Sequence, residues 1–222
     1  MNQKVKVIIY KRLKMICERL DWNNKDDIIR LAQLLQQGKV AIGTSDTVIG
    51  LLALCSKEGF EKLNKIKGRS EKPYLVLIPS IDYVKKFSYR IENNLTTLMQ
   101  NAWPGPLTLI LKAQEILPSF MKSKNNTIAL RIPDHQGLQK LLSIVGPLFS
   151  TSANKTTKPV PITLDQIDPE ILSAVNVIIS DHQPPKALPS TILDCSDEDI
   201  RIIREGAYSI KDLKTILGND LK

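Results

Sequence analysis

The sequence predicts an α/β fold built on one open, twisted sheet of mixed parallel and antiparallel strands with flanking helices. Its short apolar runs are separated by helical segments at irregular intervals, which argues against a strict alternation of strand and helix. A length of 222 residues with 42% hydrophobic content suits one domain with a substantial core.

Apolar spacing and capping residues place the helices. Asn24 can cap a helix whose first turn holds Asp26 and Asp27, and Gly38 ends it. The same signals predict further helices over residues 57–67, 81–87, 91–102, 136–145, 164–173 and 209–217.

Short apolar runs bounded by turn residues place the strands. The turn Trp103–Pro106 leads into one of them and carries little chemical information by itself. The predicted strands cover residues 39–43, 51–54, 74–78, 107–111, 128–132, 148–150, 175–179, 191–193 and 200–203.

The first 22 residues differ from the rest of the chain. Their apolar residues keep helical spacing, so we expect a basic helical extension over residues 1–22 before a domain over residues 23–222. The apolar stretch at residues 7–10 is too short for a signal-peptide core, and no run approaches bilayer-crossing length. We therefore expect a cytoplasmic protein. Its three widely spaced cysteines are expected to stay reduced, without a disulfide.

The formal net charge of +8 is concentrated in two segments. Residues 1–20 carry +5, residues 57–72 carry +3, and the remainder is balanced. Such concentration favours an anionic partner, either a small phosphorylated ligand or RNA. A solvated helix face is the simpler interpretation of residues 1–20 taken alone.

A basic cluster occupies residues 66–72, at the end of a predicted helix. Lys67 and Gly68 are explained by a helix C-terminus, which favours a cation and a left-handed cap. Arg69 and Lys72 are not explained in this way, and the side chains of Lys67 and Arg69 could hold phosphates. Because the sequence has no G-x-x-x-x-G-K-[ST] motif, a P-loop is excluded.

Three further segments carry polar side chains next to predicted strands. The hydroxyl-rich segment Ser150–Asn154 follows a strand, where open α/β sheets bind ligands. In the loop Thr44–Gly50, Thr47 could satisfy local backbone groups or donate to a polar substrate. Arg131 lies within a strand and needs an anionic partner if both sheet faces are covered. A protein carboxylate and a substrate carboxylate are both open for that role.

These segments, in this order and spacing, resemble the YrdC-like family of threonylcarbamoyl-AMP synthases, in its short, single-domain type. The resemblance covers roughly residues 26–207, and the pairing of K-x-R with S-x-N is its most specific part. The matching stretches are Thr44–Gly50, Ile66–Pro73, Trp103–Leu111, Thr127–Pro133, Ser150–Pro159, Pro189–Asp194 and Arg204–Ala207.

The resemblance implies a YrdC/RibB-like sheet with flanking helices around a large basic cavity. It implies a nucleotidyltransferase that joins L-threonine, bicarbonate and ATP into threonylcarbamoyl-AMP and releases pyrophosphate. Mg²⁺ would accompany ATP, without dedicated protein ligands. A downstream complex would then transfer the threonylcarbamoyl group to tRNA as the t6A modification.

Two sets of residues are carried over by motif from this resemblance. The threonine set, which would contact L-threonine, is Thr47, Arg131, Ser150 and Ser190. The nucleotide set, which would contact ATP, is Lys67, Arg69, Lys72, Thr127, Ser152, Asn154 and Arg204. Within the nucleotide set, Lys67 and Arg69 are implied to be catalytic.

The first loop departs from the family pattern. Thr44 and Ser45 stand where the family has Pro-Thr, and Ile49 stands where it has Tyr or Phe. We expect the loss of the aromatic ring to remove one wall of the threonine pocket.

Two alternatives use the same fold. A non-catalytic protein that binds double-stranded RNA or the ribosome would use the same basic concavity. A carbamoyl-AMP-forming relative, as in hydrogenase maturation, is disfavoured because the sequence shows no acylphosphatase-like or zinc-finger-like region.

Overall fold

The computed structural model describes residues 17–68, 72–91, 93–181, 188–218 and 221. Seven α-helices lie in these ranges: α1 (Lys25–Gln36), α2 (Lys57–Lys67), α3 (Val84–Phe87), α4 (Asn93–Ala102), α5 (Gln136–Val145), α6 (Pro169–Ala174) and α7 (Ile210–Leu217). The ten strands are β1 (Glu18–Asp21), β2 (Ala41–Gly43), β3 (Gly50–Leu54), β4 (Leu75–Leu77), β5 (Leu107–Lys112), β6 (Thr127–Arg131), β7 (Leu148–Ser152), β8 (Val177–Ser180), β9 (Thr191–Asp194) and β10 (Arg201–Arg204).

All ten strands of the described chain join one sheet in the order β1-β8-β2-β3-β7-β4-β6-β5-β9-β10. Pairing is parallel between β1 and β8, β8 and β2, β4 and β6, and β5 and β9. The other neighbouring strands pair antiparallel. The predicted open sheet of mixed direction with flanking helices is confirmed.

The helix predicted for the N-terminal extension is wrong over residues 17–22. Residues 18–21 form β1, and Leu20 lies opposite Ile179 of β8. Leu20 and Trp22 are buried while Asp21 between them is partly exposed, which is the alternation of a strand. The folded domain therefore includes residues before 23. Residues 1–16 lie outside the described part of the chain.

Two predicted helices begin as 3-10 turns in the structure. Residues 81–87 form the turn Ile81–Tyr83, which runs directly into α3. Residues 164–173 form a 3-10 turn, Leu164–Gln166, followed by α6. The break occurs because Asp168 caps α6 through the backbone N–H of Glu170, and Pro169 occupies the first turn. The strands of the sheet are unaffected.

Two hydrophobic clusters lie on opposite faces of the sheet. Helices α2, α4 and α7 cover one face, where Leu63 and Leu98 pack near Phe149. Helices α1 and α5 cover the other face, where Leu31 packs near Leu148. Since Leu148 and Phe149 are adjacent in β7, their side chains point to opposite faces.

Along β7, the second face of the sheet changes from a buried apolar surface to a partly exposed polar one. Leu148, Ser150 and Ser152 share that face because strand side chains alternate. Leu148 is fully buried in the cluster with α1 and α5, whereas Ser150 and Ser152 are partly exposed. The sheet therefore continues past its helical cover, and a hollow begins there. Across the described ranges, no helix has the length and apolar character needed to span a membrane.

Candidate functional site

A cavity of about 320 Å³ lies on this uncovered part of the sheet. Alternate positions of neighbouring strands supply its floor, because every second side chain points to the same face. The polar side chains that line it include Thr47, Thr108, Arg131, Ser150, Ser190 and Arg204. The cavity thus combines hydroxyl groups with two guanidinium groups.

Arg131 lies at the end of β6 and is held on three sides. Its Nε donates to the carbonyl oxygen of Gly105 at 2.9 Å, and Nη1 donates to Thr47 Oγ1 at 2.9 Å. Its Nη2 donates to Asp46 Oδ2, and the side chains of Arg131 and Asp46 are only 4% and 5% exposed. Of the two partners left open by the sequence, the protein carboxylate is the one observed.

The charge on Arg131 is costly to bury. Burial lowers the pKa of Arg131, and the Asp46 carboxylate partly offsets that effect. A guanidinium has five N–H donors, and three of them have partners within the described residues. Arg131 therefore keeps donors for an anionic ligand in the cavity that it lines.

Asp46 is an additional site residue whose role the sequence did not predict. Its Oδ2 also accepts from the backbone N–H of Asp134, at 3.2 Å. Its Oδ1 is buried without a hydrogen-bond partner in the structure as described. Asp46 thus joins the first loop to β6. Its position next to Thr47 in the sequence is the one signal that could have indicated this role.

The opposite wall of the cavity is formed by Arg204 and Ser190. Nε and Nη2 of Arg204 donate to the carbonyl oxygen of Ser190, at 3.1 and 2.9 Å. Nη2 also lies 3.3 Å from Ser190 Oγ, which is 2.8 Å from Thr108 Oγ1. Burial and, to a lesser extent, repulsion from Arg131 lower the pKa of Arg204. Two mutually repelling cations beside one cavity favour an anion between them.

Lys67 holds the segment that follows β7. Its Nζ donates to the carbonyl oxygen of Ser152 at 2.8 Å, to the carbonyl oxygen of Asn154, and to Asn154 Oδ1 at 3.1 Å. Ser152 Oγ in turn donates to Asn154 Oδ1 at 2.5 Å. Lys67, Ser152 and Asn154 are therefore one hydrogen-bonded unit, although Lys67 is 85 residues from Ser152 in the chain.

The structure brings the threonine set together. All four members line the same cavity: Thr47, Arg131, Ser150 and Ser190. Thr47 and Ser190 are buried, and Ser150 is partly exposed.

The nucleotide set is brought together only in part. Ser152 and Arg204 line the cavity, and Lys67 with Asn154 joins it through Ser152. Lys72 is exposed, next to a proline of the cavity wall. Arg69 lies outside the described residues.

Thr127 does not line the cavity. It begins β6, four positions before Arg131, which places it roughly 13 Å away along the strand. Its hydroxyl is 2.7 Å from Ser123 Oγ, so it has a partner in its own turn.

The expectation that Ile49 leaves a gap in the pocket wall is wrong. Ile49 is 1% exposed and belongs to the hydrophobic cluster on the other face of the sheet. Its neighbours Val48 and Gly50 line the cavity instead. The reason is alternation, since residues 49 and 50 point to opposite faces.

A second, basic cleft of about 680 Å³ lies on the far side of Lys67. Lysines supply most of its charge, with Glu170 as its acidic member. The lysines that line it are Lys39, Lys62, Lys65, Lys67 and Lys155. Lys155 pairs with Glu170, and Lys62 pairs with Glu58 at 2.5 Å, so part of this charge is neutralised.

The described part of the chain contains three cysteines and few candidate metal ligands near one another. Among the described residues, no group of three or more His, Cys, Asp or Glu is placed to hold a metal ion. Cys17, Cys55 and Cys195 are free thiols.

The fold and the site define an α/β protein with a cationic, hydroxyl-lined cavity on one face of a mixed sheet. The chain belongs to the family whose model is named for Sua5, YciO and YrdC and described as "Telomere recombination"; the model matches residues 33–206. The resemblance to the YrdC-like family is therefore confirmed.

Relatives with names or structures agree with this membership. A Methanocaldococcus jannaschii protein, provisionally named threonylcarbamoyl-AMP synthase, is 34% identical over 185 residues, covering 82% of this chain and 87% of the relative. The structure of Pyrococcus abyssi Sua5 with L-threonine has a TM-score of 0.83 at 24% identity, covering 91% of this chain and 61% of that one. Escherichia coli YciO has a TM-score of 0.78 at 23% identity, covering 87% and 97%. The two structures show a shared fold.

Proposed function

We propose that the protein is a threonylcarbamoyl-AMP synthase, which joins L-threonine, bicarbonate and ATP and releases pyrophosphate. The observation that supports this most is the convergence of the threonine set on one cavity between Arg131 and Arg204. The M. jannaschii relative carries the activity in its provisional name, and P. abyssi Sua5 was solved with L-threonine. The product would be passed to a downstream complex for t6A modification of tRNA.

In this proposal the residues of the chain supply orientation and charge, and none forms a covalent bond. Arg131 and Ser190 hold the carboxylate of threonine, which fixes the direction of its amino group. The amino group condenses with bicarbonate to a carbamate and water. A carbamate oxygen then attacks the α-phosphorus of ATP as the bond from that phosphorus to pyrophosphate breaks. Negative charge then spreads over the phosphoryl oxygens, where Arg204 stabilises it.

Lys67 contributes by holding Ser152 and Asn154 at the edge of the cavity. Its Nζ donates to three oxygen atoms of these two residues, and in this proposal it acts on the nucleotide by keeping them in place. Arg69 is proposed to contact phosphate directly, as a bidentate donor.

The cations and hydroxyls that face the cavity fit a metal carried on phosphate oxygens rather than a bare metal ion. Mg²⁺ bound to ATP in this way neutralises phosphate charge. No step of the proposal requires a carboxylate ligand from the protein, and Asp46 is already paired with Arg131.

Pyrophosphate release tests the proposal. Purified protein with Mg²⁺ and ATP should release pyrophosphate only when threonine and bicarbonate are both present. Omission of each substrate in turn provides the controls. Release that is absent with all substrates, or unchanged without threonine, would contradict the proposal.

The basic cleft supports one other candidate function, binding of double-stranded RNA or the ribosome without catalysis. Its lysines would contact backbone phosphates, and affinity would fall steeply with salt. This candidate requires salt-sensitive RNA binding that survives Lys67→Ala. RNA binding that is abolished by saturating ATP would count against it.

A further inference from the structure

We propose that Thr108 is a positioning residue that directs the hydroxyl of Ser190 toward an anionic group of the substrate. The proposal rests on the function proposed above and assigns the recognised group as the carboxylate of the amino acid. Thr108 lies two positions after the turn Trp103–Pro106, and it belongs to neither the threonine set nor the nucleotide set.

The backbone fixes Thr108 and Ser190 side by side. Strands β5 and β9 pair in parallel, with Leu107 opposite Thr191, and the N–H of Thr191 donates to the carbonyl oxygen of Pro106 at 2.9 Å. The two hydroxyl oxygens are 2.8 Å apart. Both residues line the cavity, and Thr108 is 2% and Ser190 5% exposed. The contact is therefore built into the sheet.

The two hydroxyl groups have one proton more than they have acceptors in the described structure. Two hydroxyl groups carry two protons, and their mutual hydrogen bond uses one of them. Arg204 Nη2, at 3.3 Å, can only donate to Ser190 Oγ. One hydroxyl proton thus remains without an acceptor in the described structure, and a buried donor gains stability when a ligand supplies that acceptor.

The charged groups around the pair favour donation of that proton to an anionic ligand in the cavity. Arg131 also lines this cavity and keeps N–H donors there, so a carboxylate can accept from Ser190 and from Arg131 together. When Thr108 donates to Ser190, Ser190 accepts twice and donates once to the ligand. This arrangement forms a continuous chain of donors in which each hydrogen bond polarises the next. The opposite direction would leave Ser190 without a proton for the ligand.

The branched side chain of Thr108 is suited to this role. Threonine has restricted rotation at χ1, and the residue is fully enclosed within β5, so its hydroxyl is held toward Ser190. Valine has nearly the same shape but no hydroxyl. Thr108→Val therefore removes the hydrogen bond while largely keeping the packing, and Thr108→Ser keeps the hydrogen bond.

A double-mutant cycle tests the inference by threonine-dependent pyrophosphate release. We expect Thr108→Val to raise the KM for threonine on the order of tenfold with a much smaller change in kcat, since one hydrogen bond to a charged group is at stake. Thr108→Ser should stay near the wild type. In the Ser190→Ala background, Thr108→Val should change KM little, because the hydroxyl that it orients is gone.

Controls separate this role from packing. Thr215→Val removes a hydroxyl that donates to the carbonyl oxygen of Lys211 on the exposed side of α7, and should leave KM unchanged. If Thr108→Val does not fold, as judged by urea unfolding, Thr108→Ser and Thr108→Ala give the same comparison. An unchanged KM in Thr108→Val, or the same loss in both Ser190 backgrounds, would overturn the inference alone. A wild type without threonine-dependent release would overturn the proposed function as well.

Discussion

Asp46 and Arg131 form an ion pair with both side chains almost fully buried, and this pair joins the first loop to the last residue of β6. The Asp46 carboxylate compensates the buried guanidinium more than the more distant charge of Asp134 does. The wall of the cavity therefore depends on a contact between residues 85 positions apart.

Asp46→Ala should destabilise the protein because it leaves a buried positive charge without its partner. Breaking one side of a buried ion pair costs about 3–5 kcal/mol in the free energy of unfolding, which urea denaturation measures. Glu58→Ala is the matched control, since Glu58 pairs with Lys62 on the exposed surface of α2 and should cost about 1 kcal/mol or less. Equal losses in the two variants would show that the pair with Arg131 is unimportant.

Ile49→Tyr should lower stability and leave threonine affinity without improvement. The side chain is enclosed in the hydrophobic cluster, and insertion of a larger group there costs about 1–3 kcal/mol. Ile116→Tyr is the control, because Ile116 is 90% exposed and should tolerate the ring. Thermal unfolding and the KM for threonine measure the two effects. A lower KM in Ile49→Tyr would mean that the tyrosine reaches the cavity.

Lys67→Ala should loosen the segment after β7. The change removes the donor to three oxygen atoms of Ser152 and Asn154, at about 1–3 kcal/mol for buried acceptors left unsatisfied. Hydrogen exchange over residues 152–158 should become faster, and pyrophosphate release should fall. Lys65→Ala, an exposed position of the same helix, should change neither. Lost activity with unchanged exchange would instead indicate direct contact of Lys67 with the substrate.

Arg204→Lys should reduce kcat/KM at least on the order of tenfold. Lysine keeps the charge but cannot reproduce the paired donation of Nε and Nη2 to the carbonyl oxygen of Ser190. Arg201→Lys on the same strand is the control, since Arg201 is exposed and its Nη2 lies 4.0 Å from the carboxylate of Asp199. Steady-state kinetics at saturating ATP measure the effect. Equal activity of the two variants would rule out a need for the guanidinium at residue 204.

The three thiols should react slowly with a disulfide reagent at pH 8 in the native protein. Burial raises the pKa of Cys17, Cys55 and Cys195, that of Cys195 to about 12. A pKa above pH 8 leaves little thiolate, which is the reactive form, and the fraction would rise only as the pH approaches the pKa. Unfolding in urea should make all three reactive. Rapid labelling of any of them without urea would contradict the burial.

Local signals in the sequence were sufficient for most helices. The predicted bounds 57–67 and 136–145 are those observed for α2 and α5, because apolar spacing and end residues act within a few positions. Asn24 caps α1 as predicted, accepting from the N–H groups of Asp26 and Asp27. Such interactions need no information from distant parts of the chain.

Features that depend on partners far away in the sequence could not be predicted from local signals. Residues 17–22 suit a helix or a strand by spacing, and β8, more than 150 positions away, selects the strand. The partner of Arg131 was narrowed to a carboxylate of the protein or of a substrate, and only the folded loop places Asp46 there. For Ile49, the sequence predicts that neighbouring side chains alternate between the two faces of the sheet. It does not predict which of the two faces carries the cavity.

Neighbouring residues of the central strands face different environments, because the sheet separates the hydrophobic cluster on one face from the cavity on the other. Phe149 belongs to that cluster, and Ser150 beside it lines the cavity; Leu130 and Arg131 divide in the same way. Slippage of one of these strands by one residue would exchange the two environments, burying charges and presenting hydrocarbon to the ligand. Substrate preference can therefore be altered at the alternate positions that line the cavity, such as Ser150, while Phe149 and its cluster on the opposite face are left intact.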